Sequence, residues 1–86
     1  NDSGQLTRMI YTDEENEVVL NNQEYAIEER QYNGQGKLAE RRFYDTAGEL
    51  TLTTSGFSII QYIYDSSGQR TARVYYNTQY EELWRE

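Results

Sequence analysis

The chain has 86 residues, with 36% hydrophobic, 27% charged and 14% aromatic positions, a net charge of −7 and a sequence pI of about 4.5. It contains no Cys and no His, which excludes disulfides, thiolate zinc sites, imidazole metal ligands and the commonest general base. The acidic balance argues against nucleic acid and against anionic membrane surfaces, and no apolar run is long enough to insert into a bilayer.

In chain order, the first signal is Asn1-Asp2-Ser3-Gly4, an Asx residue followed three positions later by Gly. Asp13-Glu14-Glu15-Asn16 follows, then Asn33-Gly34-Gln35-Gly36 and Asp45-Thr46-Ala47-Gly48. Asp65-Ser66-Ser67-Gly68 and Asn77-Thr78-Gln79-Tyr80 close the series. An Asp or Asn in first position accepts from the backbone N–H two residues on, and Gly in fourth position takes a left-handed conformation at no steric cost. Asn16 tolerates that conformation next best, whereas Tyr80 departs from the pattern. The structural turn positions are therefore Gly4, Asp13, Gly36, Asp45, Gly48, Asp65 and Gly68, and positive φ is expected at Gly36, Gly48 and Gly68. Further turns are expected near Asn21–Glu24 and Thr53–Gly56.

The spacing of the first set is 12, 20, 12, 20, 12 residues, a period of 32. Shifted by that period, Leu6 falls on Leu38, Asp13 on Asp45, Leu20 on Leu52, Ile27 on Ile59 and Tyr32 on Tyr64. The chain reads as one repeat domain over 1–86, with units 1–32, 33–64 and a shortened 65–86. Asn1 already falls inside a unit, so a longer parent chain is expected.

Between the turns, Lys37–Tyr44, Glu49–Thr53, Phe57–Tyr64 and Gln69–Tyr76 read as strands, with β-branched and aromatic residues and an apolar period of two. Three strands per unit give about eight in all. Leu20 and Leu52 mark a core column, and Trp84 falls on the same column with no following strand to cover it, so Trp84 should be partly exposed. One unit offers about six large apolar side chains, too few to offset the ordering of its backbone, so neighbouring units must complete each other's apolar face. An odd number of strands per unit would flip equivalent side chains in a flat meander. The expected fold is thus all-β: a curled antiparallel meander or solenoid-like sheet, or one in which a turn serves as a corner.

Phe43-Tyr44-Asp45-Thr46-Ala47-Gly48-Glu49-Leu50 and Tyr62-Ile63-Tyr64-Asp65-Ser66-Ser67-Gly68-Gln69-Arg70 resemble the tyrosine–aspartate (YD, or Rhs-type) repeat, roughly Tyr-Asp-x-x-Gly-x-Leu. The resemblance covers the whole chain. Thr12 stands where the family has Tyr and Asn16 where it has Gly, and the unit alternates short and long gaps. It implies β-repeats on large secreted or surface proteins, an extracellular or cell-surface location, and occasional carbohydrate binding.

No catalytic, cofactor or metal-binding constellation is legible. The acidic runs Glu14-Glu15-x-Glu17, Glu28-Glu29 and Glu81-Glu82 lie near turns and strand ends, where charge discourages sheet-to-sheet pairing. Tyr44, Tyr62, Tyr64, Tyr75 and Tyr76 are read either as cross-strand ladders or as an exposed platform for a ligand. The leading expectation is a non-catalytic structural or interaction module with a protein or glycan partner, capable of self-association through its terminal strands. The alternative is a carbohydrate-binding module that uses exposed Tyr side chains.

Overall fold

A computed structural model describes residues 5–86. Six strands form one antiparallel sheet: β1 (Leu6–Ile10), β2 (Ile27–Tyr32), β3 (Leu38–Tyr44), β4 (Ile59–Tyr64), β5 (Arg70–Tyr76) and β6 (Glu82–Arg85). Their spatial order follows the chain, β1-β2-β3-β4-β5-β6, so the sheet is an open meander. The described residues contain no helix.

Every connection is built from one local device. At Asp45, the side-chain Oδ1 accepts from the N–H of Ala47 at 2.9 Å and of Glu49 at 3.0 Å. The Asp45 carbonyl accepts from the Gly48 N–H at 3.1 Å, and the Asp45 N–H donates to the Glu49 carbonyl at 2.8 Å. Asp13, Asn21, Asn33, Asp65 and Asn77 place the same bonds around themselves. Thr53 closes its turn with the backbone bonds and directs its hydroxyl to the Phe57 carbonyl. The fourth residue of each turn is left-handed: Asn16, Glu24, Gly36, Gly48, Gly56, Gly68 and Tyr80 all have positive φ. Tyr80, at φ 61°, adopts this conformation despite its Cβ. Contacts hold it there: its hydroxyl donates to Glu40 at 2.8 Å and its ring packs edge-on to Tyr76 at 4.5 Å. The Asn1–Gly4 turn, with Gly4, lies outside the described residues.

The sheet has six strands where the sequence suggests about eight. Glu17–Leu20 and Glu49–Leu52 lie between turns that begin eight residues apart, Asp13 to Asn21 and Asp45 to Thr53, which leaves too short a stretch to form a ladder. Each makes a single bridge, Thr12 to Val18 and Tyr44 to Leu50. The expected strand Glu49–Thr53 is therefore part of a two-turn corner. The Tyr11 N–H pairs with the Ala26 carbonyl, while the Tyr11 carbonyl accepts from Val19. The sheet thereby steps directly from β1 to β2, and likewise from β3 to β4. One-turn and two-turn connections alternate, so only two strands enter the sheet for every three turns up to β5. That even count keeps Phe43 and Tyr75 on one face and removes the parity conflict of a three-strand unit.

The corner also overturns the expected core column. Leu20 is 51% exposed and Leu52 47%, because the segment that carries them lies off the sheet with no layer above it. Trp84 is 41% exposed. The buried cluster is instead Tyr25, Phe43, Ile60 and Tyr75, with Tyr11, Phe57 and Tyr62 packed against it. Its rings follow one another across the strands: Tyr11 to Tyr25 at 5.7 Å, Tyr25 to Phe43 at 4.7 Å, Phe43 to Phe57 at 5.7 Å and Phe57 to Tyr75 at 4.9 Å. Trp84 stacks on Tyr75 at 4.8 Å and ends the series. Edge-to-face pairs of this kind contribute beyond their buried area, about 0.5–1.5 kcal/mol each. Successive residues Ile59–Ile60 and Val74–Tyr75 are both buried, so both faces of the sheet carry packed side chains at this end.

Candidate functional site

The two faces differ in chemistry. On the aromatic face, Glu28 is 2% exposed, directly opposite Phe43 and Met9. A buried carboxylate needs partners. Arg30 and Arg41 each donate to its Oε2 at 2.7 Å, and the Tyr25 hydroxyl lies 3.3 Å from Oε1. Burial works to raise the Glu28 carboxyl, but the two guanidinium bonds outweigh it and hold it below the ordinary carboxylate range. The Tyr25 hydroxyl is pushed up to about 12 by burial, with further contributions from Tyr11 and the Glu28 charge. Arg41 also lies over the Phe43 ring at 5.1 Å and reaches the Tyr62 hydroxyl at 3.5 Å. Every group here is consumed by another, so the cluster ties three strands together.

The opposite face is polar and more open. Glu29 pairs with Arg8 and accepts from the Tyr44 hydroxyl at 2.7 Å. Glu40 pairs with Arg42 and accepts from the Tyr80 hydroxyl. Burial and the Glu40 hydrogen bond raise the Tyr80 hydroxyl to about 12. Burial tends to raise Glu29, but Arg8 and Tyr44 lower it overall. Between these pairs lies a shallow pocket of about 320 Å³, lined by Leu6, Glu29, Gln31, Glu40 and Arg42. The Arg42 guanidinium sits 5.5 Å from the Tyr80 ring centre, so the pocket mouth carries an aromatic ring, two carboxylates and a cation. The charges of the two ion pairs cancel locally.

No protein-family model, no curated protein and no solved structure matches this chain.

The five Tyr singled out in the sequence are divided between the faces. Tyr62 and Tyr75 lie with the aromatic series, Tyr44 and Tyr76 on the polar face. Their hydroxyls are engaged within the chain: Tyr44 to Glu29, Tyr64 to the Leu38 carbonyl, Tyr75 to Glu86 at 3.2 Å and Tyr76 to Gln61 at 2.8 Å. Nothing in the sequence pointed to the polar pocket, because Glu29, Gln31, Glu40 and Arg42 meet only through the pairing of β2 with β3. Strand alternation puts Glu29 and Gln31 on one face of β2; it cannot say which residues of β3 they oppose.

The turn residues Asp13, Asp45 and Asp65 spend one carboxylate oxygen each on backbone N–H groups. For Asp65, the bonds from Ser67, first its hydroxyl, and from the Gln69 backbone lower the carboxyl. Among the described residues, no three Asp or Glu side chains come together as metal ligands, and no helix is long and apolar enough to cross a membrane.

Proposed function

We propose that this chain is a non-catalytic structural or interaction module, built of YD-like units of 32 residues and belonging to an extended array in a larger bacterial surface or secreted protein. The observation that carries the reading is the recurrence of one turn at Asp13, Asp45 and Asn77, at Asn21 and Thr53, and at Asn33 and Asp65. Each set is spaced by the same 32 residues as the sequence period. A meander of such units grows along one axis, with each unit resting on the next, and presents a long face to protein or glycan partners. Its carboxylates serve turns and ion pairs, which supports a non-catalytic role.

The test is to lengthen the array. A second copy of 33–64 inserted after Tyr64 adds one unit and one unit–unit contact. In a stacked array the urea midpoint rises, because stability sums over units and their contacts. A midpoint that stays or falls would remove the repeat-module reading.

A second reading, a carbohydrate-binding module, is favoured by the polar pocket. Sugar hydroxyls donate and accept at once, which suits a pocket that offers carboxylate lone pairs, guanidinium N–H groups and a Gln amide beside a Tyr ring. Glycan-array hits that vanish in Glu40→Gln and Arg42→Ala would support it, and a blank array would remove it.

A further inference from the structure

The cross-strand register runs unbroken from one edge of the sheet to the other. One row on the polar face reads Arg8, Glu29, Arg42, Ile59, Tyr76, Glu82. A second begins at Thr7 and ends at Trp84, and a third begins at Leu6 and ends at Arg85. Beyond these ends neither edge strand has a strand partner among the described residues, and every residue of β1 and of β6 is exposed. β1 has none of the usual protection of an edge: it lacks Pro, bulge and Lys, and Arg8 is its only charge.

We propose that copies of this chain join head to tail, with β6 of one copy pairing antiparallel to β1 of the next, so that the rows continue from copy to copy. Three observations fix this partner. First, six strands is an even number, so β1 and β6 run in opposite directions and a second copy in the same orientation continues the meander. Second, the hydrogen-bonding phase fits. Tyr32 donates to the Gln5 carbonyl and Tyr11 to the Ala26 carbonyl, so odd-numbered residues of β1 face β2, leaving the N–H and C=O of Leu6 and Arg8 pointing outward. Glu86 exchanges both backbone bonds with Arg73, which leaves the backbone of Arg85 pointing outward on β6. Leu6 and Arg85 thus meet as a hydrogen-bonded pair. Third, the charges match. Arg8 at the start of its row comes beside Glu82 at the end of the same row. The guanidinium uses Nε and Nη2 on Glu29 and has further donors to offer. Thr7 comes beside Trp84 and covers the open side of its ring.

The two symmetric alternatives are less favourable. β1 against β1 sets Arg8 opposite Arg8, and β6 against β6 gathers Glu81, Glu82 and Glu86 of both copies. A head-to-tail contact does not close on itself, so it builds open chains of copies and not dimers.

The inference rests on the module reading above and carries its stacking from within a chain to between chains. Sedimentation velocity over a wide concentration series, with circular dichroism to confirm the fold of each variant, tests it. The wild-type weight-average mass should climb continuously, with Trp84 emission moving to the blue as it does. Arg8→Glu and Glu82→Arg should each lose the large species. Mixed in equal amounts they should regain them, because in a chain that alternates the two variants every junction again sets a carboxylate against a guanidinium. Arg8→Pro removes an outward N–H without touching the β1–β2 ladder and should also stay small. A wild type that stays a monomer, a plateau at the dimer, or a mixture no larger than its parts would each overturn the proposal. If the chain with the inserted unit is still more stable, the module reading survives that failure.

Discussion

Replacing Gly48 with Val isolates the turn chemistry on which the fold depends. Gly48 sits at φ 81°, and a Cβ built there meets no atom within 4 Å. The substitution therefore brings no clash and acts only through the backbone. The left-handed conformation costs an ordinary L-residue about 1–2 kcal/mol, and a β-branched one the upper end or more. Loss of glycine's freedom in the unfolded chain returns about 0.5–1 kcal/mol. The net expectation is destabilisation by about 1 kcal/mol or somewhat more. With a urea m-value near 1–2 kcal/mol/M, that lowers the midpoint by roughly 0.5–1 M. The mirror experiment uses Glu24, which occupies the same place in its own turn at φ 69°. Glu24→Gly should be more stable than Glu24→Gln by about 0.5–1 kcal/mol, since both lose the charge and only one relieves the backbone. An unchanged midpoint for Gly48→Val, or a Glu24→Gly protein no more stable than its Glu24→Gln counterpart, would refute the reasoning.

Glu28→Gln should lower stability by about 2 kcal/mol, less than for a fully buried pair because Arg30 and Arg41 keep access to water; a thermal melt identical to wild type would show that the cluster contributes nothing net. The Glu28, Glu29 and Asp65 carboxyls are all held below their ordinary values of 4.5, 4.5 and 3.8. Their contribution is full above those values and is lost as pH falls through the lower folded-state values, so urea midpoints should drop below about pH 4.5, less steeply in Glu28→Gln. At the other extreme, Tyr25 and Tyr80 ionise near 12 in the fold against 10.0 in the open chain. Stability should therefore fall as pH rises from 10.0 towards 12, with tyrosinate absorbance following unfolding; a flat midpoint across that range would count against the Tyr25 and Tyr80 environments described here.

What is local in this protein is legible in its sequence. An Asx residue with Gly three positions on is a complete instruction: the side-chain oxygen, the two N–H groups that it accepts and the residue free to turn left-handed all lie within five residues. Strand character and the all-β class follow from the same short-range information, and so does the option of a corner that interrupts the meander. Which segments enter the sheet was decided by competition for backbone partners. Ala26 takes the Tyr11 N–H, so Glu17–Leu20 is left beside the sheet and Leu20 in solvent. The left-handed Tyr80 was illegible for a related reason: Glu40 and Tyr76, which hold it, are brought to it by strands β3 and β5. Glu28 is the sharpest case. Its sequence neighbours mark it as an exposed acid, and only the pairing of β2 with β3 brings Arg41 to a carboxylate that burial alone would have discharged. A residue's own chemistry fixes the turn it makes, whereas its burial and its charge partners depend on which strand lies opposite, and that is settled only when the sheet as a whole is assembled.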